Sequence, residues 1–478
     1  MQASMFNVRV PLDGVAGRRD EVFLMNTFTD AQLIVSSDVA GLLDRIPVKP
    51  AHLTMPEREA LATLAEHGFV VPSRESERQD IDRFFREVRE SREQLRVTVL
   101  TTLQCNFACD YCLQGDHGDY NKTAAKMSLD TAVRVADWSE RRLDAVRPET
   151  FALTFFGGEP LLNMPVIYYL AERLWHACER RGVAMSINLI TNGLLLTPEI
   201  VDRLKAFGLN GVKITLDGDR EMHDQMRPLR GGQGTFDKII ANLKQIAGKC
   251  RIAIGGNFDE ASVDSYPALL DFLAKQDFAG QLTRVSFKPI IREKVTPTQP
   301  KGIIPLTVVG SSTKPLNGTC MTSAGSGTTA CSSCNLLDEK MSFLREETKK
   351  RGFNTVDGVH MGPCEIHKDN AHTVSPDGSL YACPGFAADS PMATGHIDGR
   401  EDPFRNRMAD NFAKLSAWKQ CHDCAFIPVC AGGCTVASNN ELGDMNAPNC
   451  HKPSFEAGVA ALAREAAMQA QPDAELVA

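Results

Sequence analysis

The chain is poor in tryptophan and tyrosine, with three and six among 478 residues, and it has no long apolar run. No stretch reaches the ~18 consecutive apolar residues that read as a membrane span. Met1 to Pro11 lack a basic patch leading into an apolar segment, so no secretory signal is expected either. Positive charge is also in short supply: 52 Lys and Arg stand against 60 Asp and Glu, a net charge of -8. A generic phosphate-binding surface is not indicated, and neither nucleic acid nor a membrane is expected as a partner. Hydrophobic residues at 43% and charged residues at 23% match an ordinary globular protein and exclude disordered or fibrous classes. At ~150 residues per domain the length implies about three domains. What is abundant is cysteine, fifteen in all. A cytoplasmic, reducing setting is expected, where cysteines at short fixed intervals bind metal or do redox chemistry.

Residues 1–72 read as one unit. Glu21 to Thr27 and Ala31 to Ser37 are β-prone runs around a turn at Phe28, Thr29 and Asp30, which predicts a hairpin. Ser37 is placed to cap a helix through Asp38 to Ile46. Thr54 and Glu57 form a capping box around Pro56, opening a helix that runs to Gly68. Phe69 to Pro72 then read as a short strand. Two strands, two helices and a strand is a winged-helix-like order, whose usual ligands are DNA or a peptide. The unit holds six basic and nine acidic residues, which disfavours DNA. Capture of an extended peptide by strand addition, or a structural cap on the next domain, remain. Residues 73–94 carry mixed charge around Ile81, Phe84, Phe85 and Val88 and predict a solvated linker helix with one apolar stripe.

Residues 95–294 alternate strands with helices. Strands are expected at Arg96–Thr102, Phe151–Phe156, Met185–Thr191, Val212–Leu216, Arg251–Asn257 and Thr283–Lys288, with helical patterns such as Leu129–Leu143, Met164–Arg181 and Pro198–Phe207 between them. The expected fold class is α/β, a partial (β/α)6 TIM-type barrel with its chemistry at the C-terminal strand ends. Residues 295–363 form a Gly-, Ser-, Thr- and Cys-containing insertion with a charged helix from Leu336 to Arg351. Residues 364–452 are punctuated by cysteine with few apolar runs, as expected of a small domain held by metal. Residues 453–478 read as a closing helix and tail.

Directly after the first barrel strand, Cys105, Cys109 and Cys112 form a C-x3-C-x2-C loop. Three thiolates can hold three irons of a [4Fe–4S] cubane and leave the fourth without a protein ligand. A structural zinc site needs four ligands, and no fourth is adjacent. This loop, with Tyr111 before its last cysteine, resembles that of the radical S-adenosylmethionine (radical SAM) superfamily. The resemblance spans about residues 95–290. Gly157, Gly158, Glu159 and Pro160 end the second strand, where the family holds the amino group of the methionine moiety. Two glycines permit close backbone approach, and Glu159 is expected to offer its carboxylate to the ammonium. Thr191, Asn192 and Gly193 match a family turn at the third strand's end. Thr215, Leu216, Asp217 and Gly218, with His223, Asp224 and Arg227, match a further run in which the hydroxyl residue lies near the cosubstrate and Arg227 is a candidate for its carboxylate. Asp217, His223 and Asp224 are expected only to organise the loop.

The later cysteines resemble the SPASM extension of peptide and protein maturases. By that resemblance Cys421, Cys424, Cys430 and Cys450 bind one auxiliary cluster and Cys364, Cys383 and Cys434 another, giving three [4Fe–4S] clusters with S-adenosylmethionine. The second set is one ligand short, and Cys320, Cys331 and Cys334, with His367 and His372 as remote options, are candidates to complete it or to face substrate. Cys178 and Cys250 are expected to be bystanders. The resemblance implies a maturase that modifies a ribosomally made precursor peptide, for instance through a thioether, supplied with electrons by a flavodoxin- or ferredoxin-type donor. A sulfatase-maturase-like enzyme is an alternative, against which Phe156 before the double glycine and Pro384 after Cys383 count. A small-molecule dehydrogenase and an iron–sulfur carrier or sensor are the others. The paired glycines and the Thr215 run argue against a carrier, which needs no S-adenosylmethionine pocket. No side chain is singled out as a catalytic acid or base.

Overall fold

Alternation of side chains sets the central sheet. In the strand Gln94–Thr102, Leu95, Val97 and Val99 are buried against helices while Arg96 and Thr98 face the other way, the two-residue period of a strand with unlike faces. The computed structural model describes residues 1–112, 124–291, 332–355, 359, 362–387 and 389–470. Among them, in chain order, lie strands β1 (Gln2–Ala3), β2 (Asn7–Pro11), β3 (Glu21–Asn26), β4 (Ala31–Ser36), β5 (Val70–Val71), β6 (Gln94–Thr102), β7 (Thr150–Gly157), β8 (Ala184–Thr191), β9 (Leu209–Thr215), β10 (Arg251–Phe258), β11 (Leu282–Pro289), β12 (Ala371–Val374), β13 (Ser379–Tyr381) and β14 (Gly395–His396).

Strands β6 to β11 pair in parallel in sequence order, each neighbour joined through a helical crossover. This is the α/β sheet expected of a partial barrel. Helices Leu129–Val146, Met164–Glu179, Pro198–Lys205, Phe236–Ile246 and Tyr266–Ala274 cover its outer face. Their apolar stripes meet Val97, Leu153, Leu189, Ile214 and Ile254 in one continuous core, each such buried aliphatic contributing ~1.5–3 kcal/mol. Cys178 is buried in that core and Cys250 packs against it, as expected of bystanders.

Two features depart from the expected layout. The sheet does not end at β6: β12 pairs with it in parallel, Ala371 opposite Arg96, and β13 and β14 follow antiparallel. The cysteine-rich segment therefore continues the barrel sheet, and its apolar residues Ile366, Tyr381, Phe386 and Val436 pack on Leu100 and Phe156. Strands of four, three and two residues carry too little periodicity to be read from sequence.

The N-terminal unit is richer in strands than expected. β2, β3 and β4 form a three-stranded antiparallel sheet, and β1 pairs with β5. The hairpin lies where it was predicted. The first helix, Ser37–Arg45, is capped by Ser36, whose side chain accepts from the Val39 N–H, and Ser37 is the first helical residue. The capping box of Thr54 and Glu57 is present on Met55–Glu66. Helix Arg74–Glu90 is more than a solvated linker. Ile81 and Phe85 are buried with Met5, Phe6, Trp418 and Ile427, Phe85 stacks on Trp418 at 4.6 Å, and the buried Glu77 carboxylate accepts from Ser4 Oγ and the Met5 N–H. One face of the β2–β4 sheet packs through Leu12, Phe23 and Met25 on Val459, Ala463 and Ala467 of the closing helix Lys452–Gln469. No described helix is long and apolar enough to cross a membrane.

Candidate functional site

The thiol loop leaves the sheet at the C-terminal end of β6. The Gln104 N–H bonds to Thr102 Oγ1 at 3.0 Å and turns the chain. Beyond it, the Ala108 N–H donates to Pro228 O at 2.9 Å, the Arg230 N–H to Asn106 O at 3.1 Å and Arg230 Nε to Cys105 O at 2.8 Å. The buried Phe107 anchors the turn, and its N–H donates to Cys105 Sγ at 3.4 Å. Burial pushes the Cys105 thiol up to about 12, aided by Glu159 and by the neighbouring Cys109 and Cys112. Cys109 is raised by burial as well, while the Arg227 guanidinium opposes the shift.

Thiols that raise one another's pKa share one low-dielectric volume, and a bound cation reverses that balance. Among the described residues no three His, Cys, Asp or Glu side chains converge to hold a single metal ion. A cluster takes one thiolate per iron and needs its thiols spread around a volume. The three-thiol loop supplies three such ligands, close enough to influence one another's ionisation.

The double glycine at the end of β7 is required by the backbone. A Cβ on Gly157, at φ +137°, would lie 2.2 Å from Thr102 O, and one on Gly158 would lie 2.2 Å from Gln104 O. The Gly158 and Glu159 N–H groups donate to those same two carbonyls at 2.9 and 2.8 Å. The glycines thus let β7 close against the root of the thiol loop. Glu159 is held by several donors of the protein itself. It is fully buried, and its carboxylate accepts from the Leu161 N–H (3.0 Å), Thr191 Oγ1 (2.7 Å) and the Asn192 N–H (2.8 Å). Burial still raises its pKa. Through Thr191 and the Asn192 N–H, the carboxylate ties β7 to β8. Asn192 carries the tie onward, donating from Nδ2 to Asn106 Oδ1 at 2.8 Å, inside the thiol loop.

A second buried network sits across the loop. Asp217 accepts from the Tyr111 hydroxyl, from Arg227 Nη1 at 3.4 Å and from the Asn257 N–H at 2.6 Å. Arg227 Nη1 also donates to the Tyr111 hydroxyl at 2.6 Å. Its Nε is buried without a partner among the described residues, and its guanidinium lies 5.5 Å from the Phe107 ring centre. His223 and Asp224 organise the loop as expected. His223 accepts at Nδ1 from the Asp217 N–H (3.2 Å), and Asp224 accepts from the Thr235 and Phe236 N–H groups (2.7 and 2.9 Å). Asp217 does more, joining Tyr111 to Arg227. Thr215, half-buried, ends β9 on the inner face of the barrel.

The C-terminal thiols fall into two groups in space. Cys421, Cys424, Cys430 and Cys450 line one small cavity with Phe426, Ile427 and Phe455. Cys364 and Cys434 both raise the Cys383 thiol, which burial above all pushes up to about 12. These are the two sets that the sequence resemblance implies. His372 lies on β12 against Trp138, and His367 lies against Phe85. Cys320 and Cys331 lie outside the described residues, as does the side chain of Cys334.

An open cleft of about 430 Å³ adjoins the thiol loop, lined by Gln104, Cys105, Asn106, Leu162, Arg230 and Gln233 among others. With this geometry in place, residues 99–255 match the model of the radical SAM superfamily. This stretch is a radical SAM domain. Such a domain implies S-adenosylmethionine and one [4Fe–4S] cluster, which Cys105, Cys109 and Cys112 suit. The chain is 33% identical over 165 residues to the GTP 3',8-cyclase of Synechococcus sp. (strain WH7803), covering 34% of this chain and 44% of that protein. It is 30% identical over 151 residues to the mycofactocin maturase MftC of Mycobacterium tuberculosis (strain ATCC 25618 / H37Rv), covering 30% and 32%. The chain thus spans less than half the length of these curated relatives. In fold it is similar to native anSMEcpe with bound AdoMet, with a TM-score of 0.55 and 15% identity over 78% of this chain and 99% of that one.

Sequence reading missed three participants in the radical SAM domain. Asn106 and Arg230 brace the thiol loop, and Asn257 links β10 to Asp217. Asn257 sits at a strand end, where a polar residue in an apolar run is a legible signal. Asn106 and Arg230 carried none, because their partners are backbone or distant side chains.

Proposed function

We propose that the chain is a radical SAM maturase acting on a ribosomally made precursor peptide. The observation that carries this reading is the juxtaposition of three thiol groups, one at the C-terminal mouth of the barrel and two in the unit that extends the same sheet. A bound cluster with S-adenosylmethionine supplies a 5′-deoxyadenosyl radical able to take hydrogen from an unactivated carbon. Cys105, Cys109 and Cys112 hold the cluster. Asn192, Thr215, Tyr111, Arg227 and the backbone at Gly157 and Gly158 line the cosubstrate site, and the buried guanidinium of Arg227 favours negative charge beside Cys109. The two C-terminal sets each hold an auxiliary cluster.

The peptide part of the reading rests on the N-terminal unit. β4 has β3 as its one strand neighbour among the described residues, so its outer edge offers main-chain groups to an extended leader segment. Electrons come from a flavodoxin- or ferredoxin-type donor. The test is anaerobic incubation of the reconstituted enzyme with S-adenosylmethionine, reductant and a Cys-containing precursor peptide encoded beside its gene. Deoxyadenosine formation together with a change in peptide mass supports the maturase. Deoxyadenosine with every such peptide unaltered defeats the peptide assignment, and tight clusters with no deoxyadenosine point to an electron carrier.

A further inference from the structure

The inner face of the barrel carries a basic row, and among the described residues that row has no acidic counterpart. Register places Lys213 of β9, Ala253 of β10 and Arg284 of β11 side by side, with Thr215, Gly255 and Ser286 in the next row toward the C-terminal mouth and Asn257 and Lys288 in the last. Val212, Ile214, Ile252, Ile254 and Val285, of the opposite parity, are buried against the helices. Lys213, Arg284 and Lys288 therefore face the interior. Among the described residues none of the three has an ion-pair partner.

Lys213 lies on the inner face of the barrel and is exposed to solvent there. Burial, then Lys288 and Arg284, lowers its pKa. Its side chain leans across Gly255: a Cβ there would lie 2.6 Å from Lys213 Cε and 3.4 Å from Nζ. The missing side chain at 255 thus makes a cradle that carries the ammonium toward the mouth, beside Thr215. Lys288 acts on Cys383, so part of its charge serves the C-terminal thiols. Lys213 is coupled to the other two cations, and among the described residues it has no ion-pair partner.

We infer that Lys213, supported by Arg284 and cradled by Gly255, binds a carboxylate of the substrate, so that the peptide segment entering the barrel carries an Asp or Glu side chain or a chain terminus. The inference rests on the peptide reading above. A carboxylate accepts several charge-assisted bonds from neighbouring cations that otherwise repel one another. A phosphate offers the same negative oxygens, and the test separates the two.

Reconstituted enzyme with S-adenosylmethionine bound is exposed to a trace amine-labelling reagent, and modification of Lys213 is followed by mass spectrometry. Acetyl-Gly-Glu-Gly-amide, the matched Gln peptide and GTP are the probes. The Glu peptide is expected to protect Lys213 with a half-protection concentration about tenfold below that of the Gln peptide. In Gly255→Ala, which keeps the charge and displaces it, that advantage shrinks to about twofold or less by the same scale. The wild-type comparison stands without the variant. Equal protection by the Glu and Gln peptides, or protection by neither, overturns the assignment, as does protection by GTP alone. Labelling requires no turnover, so failure of the carboxylate site is distinguishable from failure of the maturase reading, which is judged by peptide mass.

Discussion

His372 stands on β12 with its ring edge-on to Trp138 at 5.2 Å and its Nε2 unpartnered among the described residues. Burial, with Arg142 nearby, holds its pKa at about 4, and burial with Arg89 does the same for His367. Unfolded histidine titrates near ~6.5, so between that pH and about 4 the unfolded chain binds protons that these folded rings refuse. Stability present at neutral pH is therefore lost as the pH falls through that window. His372→Phe is expected to fill the same space and flatten the decline by up to ~1.4 kcal/mol per pH unit, measured by denaturant unfolding from pH 7 to 4.5. Asp217 makes a different case. Asp217→Asn removes the anion beside buried Arg227 and is expected to cost about 3–5 kcal/mol, with Arg227→Met recovering part of it in the double variant. A plain sum of the single effects in calorimetry would refute the pairing. The cysteine spacing was legible because ligand chemistry fixes it. The way Glu159 is held was not, since a sequence displays its charge and conceals the three donors around it.

At the scale of elements, six parallel strands were legible to within three residues because each is an apolar run bounded by turn residues. β2 was missed because Asn7 to Pro11 is brief and ends in proline, and β12 to β14 because they are shorter still. The β6–β7 closure yields a sharp expectation. Gly157→Ala and Gly158→Ala each drive a Cβ into backbone oxygen, which cannot move aside as a side-chain tip can. Both are expected to lose most of the iron bound at the first thiol loop, read by iron and sulfide analysis after reconstitution. Wild-type iron content in either variant would contradict the packing. Thr54→Ala, which removes the capping box of Met55–Glu66, is expected to cost about 1 kcal/mol. Deoxyadenosine formation should continue at the wild-type rate.

For the whole molecule, the closing helix Lys452–Gln469 clasps the N-terminal sheet. Arg18 donates to Ala467 O at 3.1 Å while Ala463 is fully buried in the interface. Ala463→Asp buries an unpaired charge there and is expected to free residues 1–72 to limited proteolysis. Peptide modification should fall at least about tenfold, the scale of ~1.4 kcal/mol or more of lost docking energy, while deoxyadenosine formation continues. Equal loss of both activities would mean that the clasp supports the barrel.

The pairing of Ala371 with Arg96 has a consequence for how the protein is made. β6 is the root of the thiol loop, and its outer edge is covered by a strand 275 positions later in the chain. During synthesis that edge stays bare until the cysteine-rich segment emerges, a long-range closure that folds slowly and exposes a sheet edge to neighbours. Chains ending before β12 should therefore aggregate even with all six barrel strands complete, and iron delivered before synthesis finishes would meet a loop whose supporting strand is still unsealed.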